Sequence, residues 1–222
     1  ERVGRATGES LREMGVNVDL APVLDLGRPG FAITEERRAF GRTPGAVSDR
    51  GVAFARGLAA AGVAATAKHF PGLGGARLNT DDAVQRVGLS ARTLRGADQR
   101  PFAGFSDAGG QLVMLSTAIY PALSHKPAAF SPAIATGELR ERLGFQGVSI
   151  TDALGTVSAR AIGGAARTAM AAARAGADLV LFTDLRSADR AQRALARGLR
   201  EGSLDRAEFE QSVARVLALR GG

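Results

Sequence analysis

Apolar positions along the 222-residue chain alternate between two periods, stretches at helical spacing and short continuous runs, with glycine at many of the boundaries. Val3, Ala6, Leu11 and Met14 predict a helix over residues 1–14, ended by Gly15. An apolar run from Val16 to Val23 follows, then a Gly- and Pro-rich stretch from Gly27 to Gly45 that reads as loop. Val52, Phe54, Ala55, Leu58 and Ala59 give an apolar face to a helix over 46–61, which passes through Gly62 into a strand at Val63 to Ala67. The next segment, KHFPGLGGARLNTDD, is polar and Gly-rich and predicts a loop. The alternation then repeats: a helix near 90–107, a strand at 112–116, a long loop, a helix at 131–143 and a strand at 148–151. After these come a helix at 159–175, a strand at 179–182 and a helix at 187–200. A last helix at 204–219 has Ser203 as its expected N-cap.

Five apolar runs separated by helices imply parallel strands in an α/β domain. The loops after the strands are long and carry His, Lys, Asp and Arg, whereas those after the helices are short and Gly-rich. In a barrel or a doubly wound sheet the C-terminal strand ends are where chemistry is placed, so the polar residues collect where a site belongs.

Composition narrows the classes. Hydrophobic residues make up 45% and charged residues 23%, which fits one folded domain and argues against global disorder. Cysteine is absent, which excludes disulfides and thiolate chemistry and leaves the compartment open. The uncharged stretch from Gly57 to Ala67 is too short to span a bilayer and is fenced by Arg56 and Lys68. The net charge of +7 raises nucleic acid as a partner. The basic residues are scattered, however, with no Trp and one Tyr, so no stacking or groove-reading surface is expected. The chain begins at Glu1 rather than Met, which reads as a processed or excised product with any targeting segment upstream.

Several motifs are excluded by spacing. PGLGGA is neither GxGxxG nor a P-loop, Ser116 has no GxSxG around it, and His69 and His125 lack metal-ligand spacing. Asp25, Asp81, Asp82 and Asp152 form no local metal cluster in the sequence. What remains is a set of carboxylates and cations just past apolar strands: Lys68 and His69 after the second, Asn79 and Asp81 in the following loop, Asp152 after the fourth. Two carboxylates converging on one face suit cleavage of a glycosidic bond, one attacking the anomeric carbon while another group protonates the leaving oxygen. Asp152 also lies between a strand and a helix, so a capping role stands beside the catalytic one.

GVNVDLAPVLDL (15–26), RRAFG (37–41), KHFPGLG (68–74), VMLSTAIYPAL (113–123), FSPAIATGELRERLGFQGVSITDAL (130–154) and AGADLVLF (175–182) occur in order along the chain. Together they resemble the N-terminal barrel domain of family 3 glycoside hydrolases, nearest the β-N-acetylhexosaminidase branch. The resemblance implies a (β/α)₈ TIM-barrel type of fold, hydrolysis of terminal β-linked sugars with N-acetylhexosamine favoured and glucose-type residues as the alternative, a place in cell-wall turnover, and no metal or organic cofactor. It implies that Asp152 is the nucleophile of a retaining mechanism. Lys68 and His69 match the Lys-His pair that binds sugar hydroxyls, and Arg38 matches a sugar-binding Arg.

The chain departs from that branch at one place. The branch carries KHFPGHG and then D-S-H, whose His is the general acid/base; here Leu73 stands for the first loop His and Asn79, Thr80 and Asp81 occupy the D-S-H positions. Asp81 is therefore the candidate general acid/base, with Asn79 as its orienter, and the alternative is a catalytically weak or silent sugar-binding relative. Alignment with the family sets the first run at the barrel's fourth strand, implying three strands and a D-x-E-G-G sugar-binding segment ahead of Glu1. An open partial barrel of five strands is expected, with exposed edges prone to association.

Overall fold

The computed structural model describes residues 1–221. In chain order its main elements are α1 (Arg2–Glu13), β1 (Val18–Asp19), α2 (Ala32–Glu35), α3 (Pro44–Ala60), β2 (Ala64–Phe70), α4 (Ala91–Thr93) and α5 (Arg100–Asp107). These are followed by β3 (Leu112–Leu115), β4 (Ile119–Tyr120), β5 (Ser124–Pro127), β6 (Val148–Thr151), α6 (Val157–Arg160), α7 (Ala165–Arg174), α8 (Leu185–Arg200) and α9 (Arg206–Gly221). Two π-helical segments, Leu94–Asp98 and Ala133–Arg142, supply the rest of the crossovers leading into β3 and β6.

The sheet runs β1-β2-β3-β6 and every pairing in it is parallel. The fifth run joins it irregularly: Leu179 bridges Ile150 in parallel, while Leu154 donates to the Leu181 carbonyl and Leu181 N donates to Thr151 Oγ1. This is an α/β partial barrel of the (β/α)₈ type, each strand reached by a helical crossover from the one before. Its core is aliphatic and aromatic, with Leu24, Ala65, Phe70, Leu115 and Leu139 fully buried and Phe70 meeting Phe102 edge-on at 5.4 Å.

Several boundaries differ from the sequence expectation for physical reasons. β2 extends to Phe70, so Lys68 and His69 lie in the strand and not past it. The expected helix over 159–175 is split, because Gly163 takes φ 145° between α6 and α7, a conformation that L side chains avoid. The long loop after β3 folds back as the antiparallel β4–β5 hairpin. Asp205, not Ser203, caps α9: its Oδ1 accepts from Glu208 N at 2.9 Å, whereas the Ser203 hydroxyl donates to the Gly198 carbonyl.

Close contact between α1 and α3 requires glycine on both helices, at Gly4 and at Gly57. A Cβ on Gly4 of α1 would collide with the Phe54 carbonyl oxygen of α3, so the backbones meet where no side chain fits. Gly4→Ala is expected to destabilise the fold by about 1–3 kcal/mol through this overpacking, read as a lower urea midpoint at unchanged slope.

Candidate active site

The C-terminal ends of β2 and β6 open onto a cleft of about 400 Å³ lined by Leu20, Glu36, Arg38, Lys68, His69, Asn79, Asp81, Met114, Asp152 and Leu181. All six residues singled out from the sequence therefore line one cleft, although they come from four separate stretches of chain. Lys68 and His69 are carried by the strand itself, and the Lys68–His69 peptide bond is cis.

His69 is buried at 4% exposure and held from both sides. Its Nδ1 lies 2.7 Å from Asp25 Oδ2, and its Nε2 lies 3.4 Å from Arg38 Nη2. Arg38 also donates to Glu36 Oε2 at 3.0 Å, which makes it a half-buried wall residue and not a freely solvated loop arginine. Burial pushes the Lys68 ammonium below its ordinary pKa, Arg38 adds to this, and Asp152, Asp19 and Asp25 pull it back up.

Asp152 follows the last residue of β6, its N–H donating to the Leu115 carbonyl of β3. Its Oδ1 accepts from Ala153 N at 2.8 Å. The capping alternative fails, because α6 starts at Val157 and is capped by Thr156, whose hydroxyl accepts from Ala159 N. Asp152 is left facing the cleft without an ion-paired partner among the described residues.

Asp81 sits on an exposed loop that is tied down at several points. Gln85 Oε1 accepts from Leu78 N and closes the loop's base. Val157 N and Ser158 N donate to the Asp81 and Thr80 carbonyls, and the buried Ser158 hydroxyl donates to the Ala83 carbonyl at 2.8 Å. Asn79 Oδ1 accepts from Asp81 N at 3.1 Å, so Asn79 shapes the backbone beneath Asp81. Partial burial raises the Asp81 pKa above the ordinary carboxylate value; the negative charges of Asp152 and Asp82 raise it further, and Arg38 and His69 oppose the shift.

No group of three or more His, Cys, Asp or Glu among the described residues is arranged to hold a metal ion. No helix among them is long and apolar enough to cross a membrane. A larger cavity of about 750 Å³ lies between α9 and the π-helical segment at 133–142. Three of its charged residues are already ion-paired, Arg140 and Arg215 each with the buried Asp178 carboxylate.

Residues 1–219 match the glycosyl hydrolase family 3 N-terminal domain. The chain belongs to glycosyl hydrolase family 3. This family 3 chain is 38% identical over 225 residues to an uncharacterized secreted glycosyl hydrolase of Arthroderma benhamiae, covering 98% of itself and 64% of that protein. It is 37% identical over 183 residues to the beta-hexosaminidase of Stenotrophomonas maltophilia, covering 82% of itself and 53% of that enzyme. Among solved structures, the family 3 β-N-acetylglucosaminidase of a Paenibacillus species superposes with a TM-score of 0.93 at 32% identity, over 99% of this chain and 42% of that one. The chain thus spans between about half and two thirds of these curated relatives.

In this family 3 cleft the sequence does not point to Leu20, Glu36, Met114 and Leu181 or to Ser158 behind it, and it raises Asp25 only as one of four carboxylates without metal-ligand spacing. A lone carboxylate inside the run APVLDL is the one signal that marked Asp25, because a charge amid apolar neighbours needs buried partners. Nothing in the sequence marks Ser158, whose partner is 75 residues away.

Proposed function

We propose that the protein carrying this chain is a retaining glycoside hydrolase acting on terminal β-linked N-acetylhexosamine, with Asp152 as nucleophile and Asp81 as general acid/base. The observation that carries the reading is the single cleft shared by Asp152, Asp81, Lys68, His69 and Arg38, with Asp152 released from any capping duty. In the first step an Asp152 oxygen attacks the anomeric carbon, the glycosidic C–O bond breaks, and Asp81 gives its proton to the leaving oxygen. In the second, Asp81 takes a proton from water, the water oxygen attacks the same carbon, and the bond to Asp152 breaks. Two inversions return the original configuration. Lys68, His69 and Arg38 bind the sugar hydroxyls and hold the ring against Asp152. That one relative is a beta-hexosaminidase and one structural neighbour a β-N-acetylglucosaminidase supports the substrate class.

The test is a series of aryl β-N-acetylglucosaminides of graded leaving-group acidity, turned over by wild type and Asp81→Ala. Wild type is expected to cleave all of them. The variant should lose about 10²-fold or more on poor leaving groups, which need a proton, and retain release of the most acidic phenols. Activity on poor leaving groups should fall as pH rises through the raised Asp81 pKa, since the acid must be protonated to act. That alkaline limb should vanish in Asp81→Ala. An unchanged rate on poor leaving groups removes Asp81 from the mechanism; affinity for the sugar with no turnover by wild type marks a silent relative.

A further inference from the structure

We propose that Asp25 is a positioning residue that fixes the ring tautomer of His69, placing the hydrogen on Nδ1 and leaving Nε2 as an acceptor that faces the cleft. As an account of substrate binding this rests on the reading of the cleft as a sugar site; as a statement about the ring it does not.

Asp25 is fully buried at the root of the cleft and all its contacts are to donors. Oδ1 accepts from His69 N at 3.2 Å and Leu73 N at 2.6 Å, and Oδ2 lies 3.2 Å from His69 N and 2.7 Å from His69 Nδ1. An ionised carboxylate only accepts, so a ring nitrogen at 2.7 Å carries the hydrogen of that contact. On the other side of the ring, Nε2 faces Arg38 Nη2, and a guanidinium only donates. A hydrogen on Nε2 would set donor against donor, so both neighbours select the same tautomer. The Arg38 contact is long at 3.4 Å. A pyranose hydroxyl entering there donates to Nε2 and accepts from Arg38, replacing one long contact by two short ones. A buried Asp behind the ring thus turns His69 into a reader of hydroxyl groups and discriminates against a deoxygenated ring.

Asp25→Asn separates this role from support of the loop. The amide oxygen in the Oδ1 place still accepts from His69 N and Leu73 N, while the amide N–H₂ faces Nδ1 and requires a lone pair there. The ring must then carry its hydrogen on Nε2, against Arg38. The measurement is long-range ¹H–¹⁵N correlation on the histidine-labelled protein that carries this chain, with His69 assigned by the signals lost in His69→Gln. Wild type is expected to show a protonated Nδ1 and a bare Nε2, and Asp25→Asn the reverse, with kcat/KM on an aryl glycoside lowered about 10- to 100-fold. A merely structural Asp25 would change the melting temperature and leave the tautomer alone. Hydrogen on Nε2 in wild type, or an unchanged tautomer in Asp25→Asn, overturns the proposal. If wild type turns over no glycoside, the hydrolase reading fails while the tautomer measurement still decides this one.

Discussion

Asp152→Asn is expected to lower turnover of an aryl β-N-acetylglucosaminide by about 10⁴-fold or more, the scale seen when an enzymatic nucleophile is removed. The amide matches the carboxylate in shape and its oxygen can still accept from Ala153 N, so the β6 end and the cleft wall should persist. What disappears is the carboxylate nucleophile, because a neutral amide oxygen attacks the anomeric carbon far more weakly. The measurement is initial-rate release of the phenol, paired with circular dichroism and sugar affinity by calorimetry. Loss of rate with affinity and spectrum intact is the expected result. A rate within tenfold of wild type would mean that another group attacks, and the two-step scheme would have to be abandoned. An activated fluoroglycoside supplies a second readout, since the trapped sugar should be recovered on the peptide containing Asp152 in wild type only.

The largest expected effect on stability is at Asp178. Its side chain is fully buried and binds Arg140 Nη2 at 2.5 Å, Ser149 N at 2.7 Å, and Arg215 Nη2 at 2.8 Å. Arg140 belongs to the π-helical segment before β6, Ser149 to β6 and Arg215 to α9, so one carboxylate ties three elements together. Asp178→Ala removes the anion and strands the buried Arg140 charge, which costs about 3–5 kcal/mol. For a domain of this size that lowers the melting temperature by about 6–20 °C. Arg215→Ala should cost less, because Arg215 is 28% exposed and its loss leaves Asp178 bound to Arg140 and Ser149. Asp178 does not line the cleft at the ends of β2 and β6, so the surviving folded fraction should keep the kcat of wild type. Equal melting temperatures for wild type and Asp178→Ala would show that the network contributes nothing net.

The alternation of helix and parallel strand was legible because each strand is buried on both faces and reads as a short apolar run between Gly boundaries. The bounds were less legible where polar residues sit inside a strand. Lys68 and His69 look like the start of a loop, yet they continue β2, because Asp25 holds the His69 ring and Lys68 lines the cleft. The β4–β5 hairpin was hidden in SHKP, whose polar residues give no apolar alternation. At the site, residue types were legible and partnerships were not. Asp25 pairs with His69 across 44 positions, and no local spacing encodes such a contact. Whether Asp152 caps a helix was likewise undecidable without knowing that α6 begins at Val157 and takes its cap from Thr156.

One feature of the sheet sets the scale of the whole cleft. Lys68 and His69 lie in β2 directly before its last residue, Phe70, Asp152 directly follows β6, and a single strand, β3, lies between them and contributes Met114 to the cleft lining. Adjacent strands are spaced by about 4.8 Å, so the two walls stand about 10 Å apart. That gauge is fixed by backbone hydrogen bonds and not by the reach of any side chain. Lengthening the surrounding loops would change what the outer cleft accommodates, but the spacing of these two walls stays the same unless a strand is gained or lost.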